Sequence, residues 1–467
     1  MILQDTICAI STAPGMGAIA IVRMSGADST TIGDRIFRPA KEGRTLSSLN
    51  GGRTVYGQII DENNSPVDEV VITVFRNPHS FTGEDIVEIA CHGSVYIQRT
   101  ILRLLIDNGA RLARPGEFSK RAFINGKMDL SQTEAVADII SSRSEAARRV
   151  AFSQMKGSFS QKLKNLREQL VHFCSLLELE LDFSDQEVEF ADRTQLISLV
   201  TDVDNYVVKL ANSFQYGDAI KNGVPVAIVG PPNAGKSTLL NILLGEERAI
   251  VSDIPGTTRD VIEDTIHMGD VELRLIDTAG IRETDDKIES MGIERTLQRV
   301  EKAIIVVVVI EITMNKEALA DFAAHLKNSL TTDKKLLLVV NKIDKQEEAT
   351  IDYNEIFQGI DIDSVVSISA AENRGIEQLE TALIQLSSLK ETQAEDIIVT
   401  NARHYEALTR AHESLQRVLQ GLKDNISGEF VAQDLRQTND ILGEITGTAI
   451  SSQEVLSNIF RNFCIGK

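Results

Sequence analysis

Gly230-Pro231-Pro232-Asn233-Ala234-Gly235-Lys236-Ser237 is the stretch from which the fold is read. It fits GxxxxGK[ST]. The apolar residues 225–229 before it read as a strand, and residues 237–244 after it as a helix. That context turns a Gly-rich turn into a phosphate site. Backbone N–H groups and the positive end of the helix face the β- and γ-phosphates of a nucleotide. Lys236 adds a cation, and Ser237 offers a hydroxyl to Mg²⁺. A chance Gly-rich turn is the plain alternative, but it gives no reason for the flanking strand and helix.

Downstream, residues 271–276, 304–310, 336–340 and 365–368 read as further strands, mostly separated by helical patterns. The alternation predicts a doubly wound α/β domain over 218–387. Asp277-Thr278-Ala279-Gly280 ends one strand, with a carboxylate for Mg²⁺ and a glycine N–H for the γ-phosphate. Asn341-Lys342-Ile343-Asp344 ends another. Asp344 can accept hydrogen bonds from the guanine N1–H and 2-amino group. Adenine lacks both donors, and a buried Asp344 would then stand unpaired at a cost of roughly 1–3 kcal/mol. That selects GTP. Alone, Asp277 would read as a turn aspartate and Asn341 to Asp344 as a loop; their order after the phosphate loop carries the assignment. Ser369-Ala370 follows the last strand, where a backbone contact to the guanine oxygen is expected.

Gly256-Thr257-Thr258-Arg259-Asp260 lies between the phosphate loop and Asp277. Thr258 is placed to reach Mg²⁺ and the γ-phosphate, against the alternative of a polar turn. Arg259 reads equally as a catalytic finger or a solvated cation. Many Ras-like enzymes carry a water-orienting glutamine just after the DxxG glycine. Here Ile281 stands there and cannot polarise water. Glu283, Asp285, Asp286 and Glu289 are the nearby candidates; the residues alone prefer none, and an acidic solvated loop is the bland reading.

The rest of the chain frames this domain. Its 467 residues suggest roughly two to four domains of about 100–200 residues. Hydrophobic residues at 42% and charged residues at 25% exclude a mainly disordered chain. Forty-eight Lys+Arg against 68 Asp+Glu give −20, a poor surface for neutralising phosphates, so nucleic acid must be met through a local patch or a partner. Aromatics at 5% and no Trp argue against broad base-stacking platforms. Cys8, Cys91, Cys174 and Cys464 are scattered without CxxC spacing, which predicts reduced thiols in the cytosol. No secretion signal is expected, and the longest apolar run, 303–310, falls short of a bilayer span and reads as a buried parallel strand.

Residues 53–60 and 67–75 flank the turn-rich 61–66 and predict a hairpin; 86–90 is a further strand and 95–106 a helix. Residues 1–125 thus read as an α+β domain. From Ser131 the period becomes helical, with Ser131 and Glu134 as a capping box and Leu163, Leu166, Leu170, Phe173 and Leu177 on one face. The period resumes in Leu408, Ala411, Leu415, Val418 and Leu422, and Ser451 with Glu454 offers a second box. Residues 126–217 and 388–467 read as one discontinuous helical domain into which 218–387 is inserted.

The whole chain closely resembles the tRNA-modification GTPase family called MnmE or TrmE. The likeness rests on Pro232 to Ser237, Gly256 to Asp260, Arg114-Pro115-Gly116-Glu117-Phe118, and Phe463-Cys464-Ile465-Gly466-Lys467; Pro231 stands where many relatives have arginine. The resemblance implies an N-terminal tetrahydrofolate-binding domain that dimerises, a helical domain and a potassium-activated, cytoplasmic GTPase. It implies a flavin- and NADH-dependent partner, MnmG (also called GidA), in a heterotetramer that installs an aminomethyl or carboxymethylaminomethyl group on C5 of a tRNA wobble uridine. A tetrahydrofolate derivative, in 5-formyl or methylene form, supplies the one-carbon unit. The family's folate contacts fall on Arg23, Glu88, Lys127 and Lys467. Its Mg²⁺ ligands fall on Ser237 and Thr258, and its K⁺ ligands on Asn233, Ser252, Ile254 and Thr257. Its GTP contacts extend the motifs to Thr238, to Asp253, Pro255 and Gly256, and to Ala371. Lys236 and the water-orienting Glu289 are its catalytic positions in hydrolysis, and Cys464 is a candidate in the modification chemistry or else a buried small residue. A GTPase assembly switch and a folate-dependent aminomethyl transferase with regulatory GTP are the rival classes.

Overall fold

Alternating β-branched residues build the first sheet. The computed structural model describes residues 5–41, 43–182, 193–245, 264–269, 271–276, 300–327, 330, 334–345, 352–387, 397–424, 426–450, 456, 459–461, 463 and 466. These fall into two compact units, Met1–Ser141 with Ala151–Val207 and Ala407–Lys467, and Ser142–Val150 with Val208–Glu406.

In the first unit, β1 (Ile7–Ile10), β2 (Ile19–Ser25), β3 (Phe37–Pro39), β4 (Arg53–Ile60), β5 (Pro66–Phe75), β6 (Ile86–His92) and β7 (Arg111–Leu112) form one sheet in the order β3-β4-β5-β6-β2-β1-β7. Only the β1–β7 pair is parallel. The predicted hairpin is β4–β5. Its turn is held by Asp61, whose Oδ1 accepts the N–H groups of Asn63 at 2.9 Å and Ser65 at 2.8 Å. Val55, Ile59, Ile72, Val74, Val87 and Ile89 share one core with Ile32, Ile36, Ile101, Leu104 and Leu105 from helices Ser29–Ile36 and Val95–Asp107. Cys8, Cys91 and Cys174 are free and buried.

Gly116 shows why the Arg114 to Phe118 stretch is so restricted. Its φ is +65°, and a Cβ there would stand 2.5 Å from the carbonyl oxygen of Phe460. Only glycine allows both the left-handed turn and that approach. Glu117 then accepts from the Arg114 N–H at 2.8 Å and pairs with Arg111. Arg121, only 1% exposed, lies between the carboxylates of Asp5 and Glu84.

The helical part of this unit contains Leu130–Ser141, Ser158–Asp182 and Gly428–Thr446, with Arg193–Asn212 and Ala402–Lys423 each running on into the second unit. Leu163, Leu170 and Leu177 are fully buried, as are Leu408, Ala411, Leu415 and Val418. Helix Gly428–Thr446 packs along Ser158–Asp182. The capping box differs from expectation. Asp129 Oδ1 accepts the Gln132 N–H at 2.9 Å, and Gln132 Oε1 accepts the Asp129 N–H at 2.9 Å. The helix starts before Ser131, so Ser131 sits inside the first turn and Glu134 is too far along to close the box. The Ser451–Glu454 box lies outside the described residues.

In the second unit, β8 (Val224–Val229), β9 (Asp264–Met268), β10 (Val271–Leu275), β11 (Ile305–Glu311), β12 (Lys335–Asn341) and β13 (Ser364–Ser367) are ordered β13-β12-β11-β8-β10-β9. All neighbours are parallel except the edge pair β9–β10. Each face of the sheet carries its own core, one containing Ile228, Val307 and Val339 and the other Val229, Val308 and Val340. Burial on both faces explains the unbroken apolar run at 303–310. The two ends of the segment Val208–Glu406 lie side by side. Ser213 Oγ accepts from the Val399 N–H at 3.0 Å, a Cβ on Gly217 would stand 2.0 Å from the Val399 oxygen, and Phe214 stacks on Tyr405 with centroids 4.7 Å apart. No described helix is long and apolar enough to cross a membrane.

Candidate functional site

The phosphate loop joins the C-terminal end of β8 to helix Lys236–Gly245, at the edge where parallel strands open a ligand crevice. Gly230 has φ +153° and a Cβ there would meet the Val309 oxygen at 2.1 Å; Gly235 has φ +97° and a Cβ would meet Asn341 Nδ2 at 2.2 Å. Asn233 also takes a left-handed backbone, φ 60°, with its side chain exposed. Lys236 Nζ donates to the carbonyls of Gly230 at 2.9 Å and Pro231 at 2.7 Å, so the ammonium lies across the loop. Ser237 and Thr238 are both exposed in the first helical turn, and Ala234 is buried. A hydroxyl open to solvent beside a ring of backbone N–H groups suits Mg²⁺ carried on phosphate oxygens.

Asn341, 2% exposed at the end of β12, ties this loop to the base side. Its Nδ2 donates to the Ala234 carbonyl at 2.8 Å, while its Oδ1 accepts the N–H groups of Lys342 at 2.8 Å and Ala370 at 3.0 Å. The Ala370 N–H thus has an acceptor within the protein, and Ala371 beside it is exposed. Asp344 is open to solvent, not buried as its place after an apolar strand suggests. Ser369 Oγ donates to Asp344 Oδ1 at 2.5 Å and holds its carboxyl below the usual range, so it stands ionised as an acceptor.

A contact the sequence did not reveal orders the next residue. Glu311, ending β11, accepts from Lys342 Nζ at 2.6 Å and Lys345 Nζ at 2.8 Å. These bonds, Lys342 first, hold its pKa at about 2, against the ordinary 4.5. Lys342 has φ 65°, so its backbone is strained and its side chain pinned. The folded pKa is depressed. Glu311 thus contributes stability above pH 4.5 and loses it as pH falls towards 2. Glu311→Gln is expected to destabilise the protein at neutral pH, with the difference from the parent vanishing towards pH 2, and to weaken GTP several-fold. Urea melts across pH and nucleotide titration check this; an unchanged pH profile would refute it.

In the first unit, Arg23 and Glu88 face each other across β2 and β6, with Nε to Oε1 at 2.8 Å. The guanidinium lies 5.8 Å from the ring centroids of both Phe81 and Phe118, and Nη1 donates to the Gly466 carbonyl at 3.4 Å. Lys127 Nζ donates to the Pro78 carbonyl at 2.9 Å. The loop between β5 and β6 is thus shared: Phe81 flanks Arg23 and Pro78 holds Lys127. These aromatic neighbours were not legible in spacing.

Ser252, Asp253, Ile254, Pro255, Gly256, Thr257, Thr258, Arg259, Asp260, Asp277, Thr278, Ala279, Gly280, Ile281, Glu283, Asp285, Asp286, Glu289, Cys464, Ile465 and Lys467 lie outside the described residues.

The loop after β8 and the Asn341–Asp344 corner define a P-loop protein with a guanine-nucleotide site. Comparison with known proteins agrees. The MnmE helical domain family matches residues 130–464, and the GTP-binding protein TrmE N-terminus family matches residues 6–127. A tRNA modification GTPase MnmE of Parabacteroides distasonis is 52% identical over 99% of this chain and 100% of its own length. That of Bacteroides fragilis is 50% identical over 99% and 100%. Among solved structures, a GTP-binding protein from Sulfolobus solfataricus in complex with GDP is 18% identical, with a TM-score of 0.27 over 52% of this chain and 72% of that one, a likeness that decides nothing. The chain belongs to the MnmE family of tRNA modification GTPases and is a GTP hydrolase.

Proposed function

We propose that GTP hydrolysis in this chain drives a tRNA modification carried out with the flavoprotein MnmG, in which an aminomethyl or carboxymethylaminomethyl group is placed on C5 of the wobble uridine. The observation that carries this reading is the full-length likeness to proteins named tRNA modification GTPase MnmE. Residues 1–125 serve as the tetrahydrofolate-binding and dimerisation domain, 126–217 with 388–467 as the helical domain, and 218–387 as the GTPase, all in the cytoplasm. In the GTPase, Ser237 and Thr258 hold Mg²⁺, with Asp277 facing the metal and Gly280 the γ-phosphate. Asn233, Ser252, Ile254 and Thr257 hold K⁺. Lys236 neutralises phosphate charge, and Glu289 orients the water. Asn233 suits the ion because its amide is exposed on the phosphate loop, close to Lys236 in sequence.

A reduced folate brings ring N–H donors and tail carboxylates, and it supplies the one-carbon unit when bound. The residues fit such a ligand: Glu88 is a carboxylate acceptor, Arg23 lies near two aromatic rings, and Lys127 is a cation beside the loop between β5 and β6. Lys467 completes the set, and Cys464 is held as a candidate for the modification step. Calorimetry with 5-formyltetrahydrofolate is expected to show binding that weakens at least about tenfold in Arg23→Ala, which removes a charge-assisted hydrogen bond. No heat at high ligand concentration would remove the folate assignment.

Mass spectrometry of wobble uridines tests the whole. A strain lacking its own homologue should regain the modified nucleoside when supplied with this chain. Unmodified uridine alongside active GTP hydrolysis would refute the reading.

A further inference from the structure

Between positions 156 and 167 the chain carries Lys156, Lys162, Lys164 and Arg167 and no carboxylate, in a protein of net charge −20. The structure shows where that segment faces. A cavity of about 730 Å³ opens among helices Leu130–Ser141, Ser158–Asp182 and Gly428–Thr446, and Lys156, Lys164 and Arg167 all line it. Gln132, Ser160 and Thr448 add polar groups to its wall.

The two carboxylates in the lining are already engaged. Asp129 caps its helix through the Gln132 N–H and accepts from Ser131 Oγ at 2.8 Å. Glu168 lies 3.8 Å from Lys164, an exposed pair separated by one helical turn and weakly held. Arg167 is fixed: its Nε donates to the carbonyl and side-chain oxygens of Asn439, both at 3.1 Å, and Nη1 donates to Thr448 Oγ1. Burial disfavours its charged form, and Asp440 offsets this only in part. A positioned, under-compensated guanidinium flanked by two lysines is the donor set that phosphate oxygens take.

We propose that this cavity in the helical part of the first unit binds a backbone phosphate of tRNA, so that an acidic protein meets its polyanionic substrate through one local basic pocket. This rests on the tRNA reading above. Phosphodiester contacts of this kind position an RNA without reading its sequence.

The test uses the full chain and the double variant Lys156→Glu/Lys164→Glu, with Lys156→Gln/Lys164→Gln as the milder form and Arg167→Lys to keep the charge while changing the fork. Neither lysine belongs to the nucleotide site, so GTP hydrolysis without tRNA should be unchanged. Filter binding of tRNA should weaken at least about tenfold in the double variants, and the slope of log K against log salt should fall by about 0.7–0.9 for each phosphate no longer neutralised. Inorganic phosphate should compete with tRNA in the parent and much less in the variants. Parental affinity and slope in the double variants would overturn the proposal. Phosphate binding at the pocket without any effect of the variants on tRNA would also overturn it, leaving a free-anion site. Wobble-uridine mass spectrometry with the parent separates the two failures: if the parent restores modification and the variants bind and modify tRNA equally well, only the pocket assignment falls, whereas no restoration by the parent removes the tRNA reading beneath it.

Discussion

Asp344→Asn is expected to lower GTP affinity by about 10²–10⁴-fold and to raise affinity for xanthosine triphosphate over that for GTP. In the role proposed for it Asp344 accepts two hydrogen bonds from guanine, and a site of that kind rejects a mismatched partner by large factors because polar groups are left facing each other unpaired. The carboxylate is ready for the task, open to solvent on one side and held by Ser369 Oγ at 2.5 Å on the other. An amide at this position still accepts from Ser369, so the loop survives, but its NH₂ now opposes the guanine donors and complements the added oxygen of xanthine. Competition titrations with GTP, ATP and xanthosine triphosphate check this. Equal binding of ATP and GTP by the parent would overturn the assignment of Asp344.

Potassium is expected to accelerate hydrolysis about 10²-fold over sodium, and removal of the Asn233 side chain to abolish the difference with little change in GTP affinity. Arginine fingers in other enzymes supply about 10³–10⁵ in rate, or about 4–7 kcal/mol. Ile281 gives no water-orienting group here, and Lys236 with Mg²⁺ does not replace the missing charge. A monovalent cation beside the β- and γ-phosphates stabilises the same developing charge. The backbone of Asn233 decides which variant to make. Its φ of 60° strains alanine, so Asn233→Gly removes the ligand while keeping the turn, and Asn233→Ala confounds the two. Glu289→Ala should slow turnover with nucleotide still bound. Equal rates in potassium and sodium, with Asn233→Gly unaffected, would sink the mechanism and return Arg259 to consideration.

What the sequence disclosed follows the range of the forces involved. The β4–β5 hairpin was legible because Asp61 organises its turn within a few residues. The phosphate loop was legible because its glycines, lysine and serine are adjacent in the chain. The edge strand β9 was missed, since Asp264–Met268 mixes polar and apolar residues and owes its state to pairing with β10. The cap at Asp129 and Gln132 was misplaced by two residues because a serine and a glutamate stood at the same spacing. Glu311 could not have been found at all. It meets Lys342 and Lys345 only because β11 and β12 lie side by side, and residues far apart in the chain share no spacing. Phe81 and Phe118 come to Arg23 in the same way, through the sheet and the helix after β7.

The clasp formed by Ser213, Gly217 and Val399, with Phe214 stacked on Tyr405, draws together the two ends of Val208–Glu406, the longer segment of the nucleotide-binding unit. Two ends already pressed together cost a host helical chain little loop-closure entropy when such a segment is spliced in, and little when it is cut out. Val208–Glu406 is therefore a segment whose ends can be cut along one seam for crystallography or reporter fusions, with Ser142–Val150 supplied separately because it belongs to the same unit.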